Sequence, residues 1–191
     1  MTETGNIMGF LESYLARTTA ALHRLPLPRI ARVIELLGEA RREGRNIFVC
    51  GNGGSAATSS HFANDLGKGA SVGREVRFRA LSLTDNLPWI TSLANDLAYD
   101  QIFVEQLRNF ASPGDLLLVF SGSGNSQNVL EAVRWAREAG LLTIGFTGRT
   151  GGKLVSAVDL CVQVDSDHMG IIEDGHFVIQ HLIGYFFMEQ G

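Results

Sequence analysis

Asn46-Ile-Phe-Val-Cys50-Gly51-Asn52-Gly53-Gly54-Ser55-Ala-Ala-Thr58-Ser-Ser60-His61 contains the pattern that decides the fold. A short, continuously apolar run meets a cluster of glycines. A hydroxyl-rich helical stretch then continues to about Lys68. This is a buried strand, a tight loop and a helix in succession. The pattern returns at Leu116-Leu-Leu-Val-Phe120, followed by Ser121-Gly122-Ser123-Gly124-Asn125-Ser126 and a helical stretch from about Gln127 to Ala139. Further apolar runs lie at Phe78–Leu83, Leu141–Phe146 and Leu160–Val164, and a last helix is expected from about Ile172 to Met188. Apolar strands separated by helices predict a parallel sheet covered on both faces, with right-handed crossovers. The fold class is therefore α/β, a three-layer α/β/α sandwich around a five-stranded parallel sheet.

Two helices precede the first strand. One, from about residue 7 to 24, carries Ile7, Phe10, Leu11, Tyr14, Leu15 and Leu22 at helical spacing; the other follows Pro26 and Pro28 and ends near Gly44. They are expected to lie outside the sheet core or to pack against a partner subunit. No linker or low-complexity segment divides the chain, so one domain over residues 1–191 is expected, with 1–44 as a helical extension of a 45–191 core.

Hydrophobic residues make up 45% of the chain and charged ones 19%, ordinary values for a globular protein. A net charge of −4 without a Lys/Arg stripe argues against nucleic acid as a partner. No signal-peptide pattern opens the chain and no apolar stretch is long enough to span a bilayer, so a cytoplasmic protein with no membrane partner is expected. Cys50 and Cys161 sit inside apolar runs and read as buried, reduced thiols.

In parallel α/β sheets ligands bind beyond the carboxyl ends of the strands, where both Gly/Ser loops fall. Gly51, Gly53 and Gly54 permit close backbone approach, and Ser55 and Thr58 add hydroxyls at a helix start that favours negative charge. Ser121, Ser123 and Ser126 do the same in the second loop. Either loop alone could be an ordinary helix N-cap; two together favour a phosphate held by neutral donors. Neither matches the G-x-G-x-x-G dinucleotide pattern or a Walker loop.

His61 and Asp65 lie four apart on one helical face, and Glu173 and His181 eight apart on another; His176 and Gln180 form an offset pair. Two histidines and two carboxylates suit a tetrahedral zinc site, a general acid and base, or simply a solvated helix face.

These residues resemble the SIS (sugar isomerase) family, and within it the phosphoheptose isomerases. Gly51–Ser55 and His61–Leu66 resemble its Gly-Asn-Gly-Gly-Ser and His-Phe-Ala-x-Glu/Asp-Leu motifs, and Ser121–Ser126 its Ser-x-Ser-Gly-Asn-Ser loop. Thr147–Leu154 resembles its Thr-Gly-x-x-Gly-Gly-Lys turn, and Asn95-Asp96 its Gly-Asn-Asp step. The resemblance implies an SIS fold and conversion of sedoheptulose 7-phosphate to D-glycero-D-manno-heptose 7-phosphate through an enediol. It implies Asp65 as base, His181 as acid, and zinc on His61, Asp65, Glu173 and His181. Substrate contacts would come from Asn52, Gly53, Gly54, Ser55, Asn95, Asp96, Ser121, Gly122, Ser123 and Ser126, in a homotetramer. The chain departs from the family pattern at Asp65, one methylene shorter than the usual glutamate (about 1.5 Å less reach), and at Glu173, where the family usually has glutamine. Gly170-Ile-Ile-Glu173-Asp174 also departs from the usual start of the last helix. A phosphosugar-binding sensor or scaffold is the alternative, and an isomerase for another sugar phosphate a third reading.

Overall fold

The computed structural model describes residues 3–190; residues 1, 2 and 191 of the expected domain lie outside the described residues. Five parallel strands form one sheet: β1 (Asn46–Gly51), β2 (Arg79–Ser82), β3 (Leu116–Phe120), β4 (Leu142–Thr147) and β5 (Leu160–Gln163), in the order β2-β1-β3-β4-β5. The all-parallel sheet and its two helical layers are as expected. The register sets Gly51 opposite Phe120 and Phe120 opposite Phe146, so the carboxyl ends of the three central strands are level.

Alternation along each strand separates two apolar cores. Ile47, Val49, Leu118, Phe120, Ile144 and Phe146 face one layer, and Phe48, Cys50, Leu117 and Val119 face the other. The first layer comprises α1 (Glu3–His23), α2 (Leu27–Glu43), α3 (Gly54–Asn64) and α8 (Met169–Gln190). The second comprises α5 (Val104–Phe110), α6 (Gln127–Glu138) and α7 (Leu154–Ala157). The rings of Phe120 and Phe146 are fully buried and stacked, with centroids 4.5 Å apart. At the opposite end of the sheet, buried Asp115 accepts from the Asn46 backbone N–H at 2.8 Å and the Ser112 N–H at 2.9 Å, which ties the starts of β1 and β3 together.

The placement of α2 differs from expectation. Ile30, Val33, Leu37 and Ala40 are buried in the first core, so α2 is part of the sheet's cover. Pro28 opens it and Gly44, at φ 66°, closes it. In α1, by contrast, Ile7, Phe10, Leu11 and Leu15 remain exposed. The edge strand β2 also departs from an all-buried pattern, with Arg79 and Leu81 exposed. Helix α4 (Leu87–Asp96), not anticipated in the sequence, is capped by Asn86, whose side chain accepts from the Trp89 N–H at 3.2 Å, and it buries none of its residues. Both cysteines are free and buried; burial pushes the Cys50 thiol well up and Cys161 to about 11. Among the described residues no helix is long and apolar enough to cross a membrane.

The second Gly/Ser loop is braced from behind by residues 148–154. The Gly148 N–H donates to Gly122 O and the Leu154 N–H to Gly124 O, both at 3.0 Å, while the Lys153 N–H donates to Asn125 Oδ1 at 3.1 Å. Gly124 has φ +64°, and a Cβ there would overlap the Gly151 carbonyl. Gly124→Ala should therefore cost about 2 kcal/mol or more, measured by urea unfolding, and should weaken phosphate binding in parallel.

Candidate active site

The chain leaves β1 toward β2 on one side of the sheet and leaves β3 toward β4 on the other. The two loops diverge at this point and open a crevice between them. Gly53, at φ 56°, turns the chain into α3, while Gly51 admits the carbonyl of Phe120, which would lie 2.8 Å from a Cβ at that position. The resulting cleft, of about 280 Å³, is lined by Asn52, Gly53, Gly54 and Ser55 of one loop and Ser121, Gly122, Ser123 and Ser126 of the other, with Phe120, Met169 and Glu173. Asn52, Gly53, Gly54, Ser55, Ser121, Gly122, Ser123 and Ser126 of the two anticipated loops line it, whereas Gly51 and Thr58 do not. A larger groove of about 620 Å³ lies along α6. It is an open surface feature edged by charged side chains, without the converging hydroxyls of the smaller cleft.

An amide pair joins the two loops. Asn52 Nδ2 donates to Asn128 Oδ1 and Asn128 Nδ2 donates to Asn52 Oδ1, both at 2.8 Å, and the Tyr99 hydroxyl donates to Asn52 Oδ1 at 3.0 Å. Asn128, in the first turn of α6, is 2% exposed and so anchors the clamp from inside, while Asn52 faces the cleft and Tyr99 lies on the surface. Neither Asn128 nor Tyr99 was marked by any sequence signal, since an asparagine in a first helical turn is commonplace. Asn95 and Asp96, expected at the substrate, are exposed at the end of α4, paired with each other at 2.8 Å, and are not among the residues that line the cleft. Asn128→Ala should weaken binding of inorganic phosphate severalfold in calorimetric titration, because it releases Asn52 and uncouples the loops.

Helices α3 and α8 run side by side in the same direction, and their contact assembles the second half of the site. Glu173 lies over Gly54, His181 meets His61, and Gly184 lies beside Asp65, where a Cβ would be 3.3 Å from that of Asp65. His181 Nε2 and His61 Nε2 are 3.2 Å apart, and Asp65 Oδ2 is 3.3 Å from His61 Nε2 and 4.0 Å from His181 Nε2. Asp65 is 7% exposed, and its Oδ2 has no hydrogen-bond partner. It opens a π-helical turn, Asp65–Gly69, in which the Ala70 N–H donates to Asp65 O at 2.8 Å. Such turns often mark functional sites.

Among the described residues His61, Asp65 and His181 form the one group whose donor atoms converge, all within 4.8 Å. Two imidazoles and a carboxylate suit zinc, and tetrahedral bonds of about 2.1 Å would separate ligand atoms by about 3.4 Å. The three distances and the orphaned Asp65 oxygen fit that ion. Glu173, expected as a fourth ligand, is not in the group. Eight helical residues place it about 12 Å along the axis from His181, with its carboxylate turned to Gly54 instead.

His176 and Gln180 face the interior. His176 packs on Phe120 at 5.6 Å between ring centroids, and neither its ring nitrogens nor the Gln180 amide atoms have a partner. Burial pushes the His176 imidazole down to about 4 from its usual 6.5. Between these values the unfolded chain binds a proton that the native protein refuses, so stability falls as pH drops from about 6.5 toward 4 and is unaffected by this group above 6.5. Urea unfolding of His176→Phe should show a shallower loss of stability across that window than the parent protein.

The SIS domain family model matches residues 12–148. The chain belongs to the SIS domain family. It is 41% identical over 167 residues to a phosphoheptose isomerase of Geobacter sulfurreducens, covering 85% of this chain and 86% of the relative. It is 37% identical over 174 residues to one of Mycobacterium bovis, covering 91% and 88%. A solved phosphoheptose isomerase from Francisella tularensis superposes with a TM-score of 0.86 at 30% identity over the whole of both chains.

Proposed function

We propose that this protein is a phosphosugar aldose–ketose isomerase that converts sedoheptulose 7-phosphate to D-glycero-D-manno-heptose 7-phosphate through an enediol. The observation that carries this reading is the convergence of Asp65 Oδ2, His61 Nε2 and His181 Nε2, presented by α3 and α8, the two helices that also contribute Gly54, Ser55, Met169 and Glu173 to the lining of the cleft. Phosphoheptose isomerases at about 40% identity over most of the chain are consistent with it.

The seven-carbon substrate would be anchored by its phosphate on the Ser55 and Ser121–Ser126 donors. Asp65 Oδ2 takes the proton from C1 as the C1–C2 double bond forms, and His181 Nε2 supplies a proton to the neighbouring oxygen. Loss of the O1 proton and return of one to C2 gives the aldose, with no net redox change. A zinc ion held by His61, Asp65 and His181 would supply polarisation of the carbonyl and hydroxyl oxygens, as an alternative to proton transfer at the Asp65 and His181 atoms that it would occupy.

The chain is proposed to act as one domain in a cytoplasmic homotetramer. The apolar residues exposed on α1 (Ile7, Phe10, Leu11 and Leu15) and on α8 (Leu182, Tyr185 and Phe186) support association, and the α8 group adjoins His181. A neighbouring copy there would exclude water from the acid and base.

Purified protein is expected to convert sedoheptulose 7-phosphate, faster with added zinc, and Asp65→Asn should lower kcat by about a hundredfold or more with little change in phosphate affinity. No conversion by the parent protein, with phosphosugar still raising Tm, would overturn the isomerase and leave a binding module.

A further inference from the structure

The rings of His61, His181 and Phe177 form a closed triangle. Ring centroids are 5.1 Å apart between the two histidines, 5.0 Å from His61 to Phe177 and 4.7 Å from His181 to Phe177. Every pair meets edge to face, at interplanar angles of 69°, 68° and 75°. These are the separations and angles of favourable aromatic contacts. Phe177 lies one turn before His181 on α8 and reaches across to His61 on α3. Tyr185, one turn after His181, meets the His181 ring at 5.7 Å and makes no ring contact with His61 among the described residues. The polar contacts of both imidazoles run through Nε2, to each other and to Asp65 Oδ2. Among the described residues no hydrogen bond holds either Nδ1, the atom through which a ligating histidine is ordinarily oriented.

We infer that Phe177 is a positioning residue for the two histidines: its ring stands in for hydrogen-bonded supports and fixes the planes of both imidazoles so that their Nε2 atoms converge on one cation. The inference rests on His61 and His181 being ligands of the proposed zinc site. An imidazole turns about its Cβ–Cγ bond, a soft torsion, and that rotation swings Nε2 away from its partner. With Phe177 set against both rings, a histidine that turned would either lose its edge-to-face contact or drive into the phenyl ring. One side chain thereby orders two ligands, one on each helix, and does so in folding, before an ion arrives. Leucine or methionine at this 38% exposed position would keep apolar cover over the helix pair but would present no ring to the imidazoles.

The test is zinc binding by the purified full-length protein, measured by competition with a chromophoric chelator, together with the visible spectrum of the cobalt(II)-loaded protein, whose bands report ligand geometry. Circular dichroism and urea unfolding of the metal-free proteins check the fold of each variant. Phe177→Leu and Phe177→Met should each bind zinc about tenfold more weakly than the parent, with altered cobalt bands. Phe177→Tyr, which keeps the ring, should restore both, and Tyr185→Leu should lose less affinity than either ringless variant. Parent-like zinc affinity and cobalt bands in both ringless variants would overturn the proposal while leaving the metal centre intact. A loss of affinity that follows a loss of metal-free stability, with cobalt bands unchanged, would assign Phe177 to packing alone and overturn it as well. Failure of the parent protein to bind zinc would remove the metal centre itself, and the proposal with it.

Discussion

The parallel contact of α8 with α3 is the constraint on which the rest of the site depends. His61 and His181 are 120 residues apart in sequence and 3.2 Å apart in space, and Glu173 and Gly184 find Gly54 and Asp65 at nearly the same interval. Two glycines let the helices approach, Gly54 beneath a carboxylate and Gly184 beside one. Because both helices also pack on the sheet, a slip of one turn in either would separate every pair at once. The stacked Phe120 and Phe146 rings and the buried residues Ile179 and Ile183 oppose that slip. The chemistry is thus held in register by the hydrophobic core and not by its own polar contacts, which are few.

Those polar contacts are few because the interior of this layer holds more polar atoms than it pairs. Asp65 Oδ2, both nitrogens of His176 and both amide atoms of Gln180 are buried without partners. Each carries a desolvation cost of about 1–3 kcal/mol, offset by the apolar burial around it. The Asp65 oxygen is where such a cost has a use, since a buried carboxylate without a partner is suited to coordinate a cation. His176 and Gln180 carry the cost one turn apart on the same helix.

Much of this was legible in the sequence. The continuous apolar run of β3 and the glycines beside it identify a buried strand and its loop, and four-residue spacing places His61 and Asp65 together. What the sequence leaves out is relative placement. The spacing of Glu173 and His181 assigns them a common face but not the direction in which each side chain leans, and here they lean to opposite ends of α3. The extra residue in the turn at Asp65 depends on tertiary packing and leaves no periodic trace. The N-terminal helices look alike by composition, yet only α2 has its apolar face spent on the sheet. Helix α4 did have a signal, Asn86 followed by Pro88, which marks a capped helix start.

A cleft lined without a single lysine or arginine would handle a phosphate differently from the usual basic phosphate site. Its donors are dipoles whose fields fade over a few ångströms, so it exerts little pull on an anion still in solution. Arrival depends on collision, and added salt has no fixed positive charge to screen. Such a site discriminates by contact geometry, ignoring the many cellular anions that cannot fill the cleft, and lets go of a product as easily as it took up the substrate. For a reaction whose two sugars differ only in the position of a carbonyl, loose and symmetrical handling of the common phosphate suits traffic in both directions.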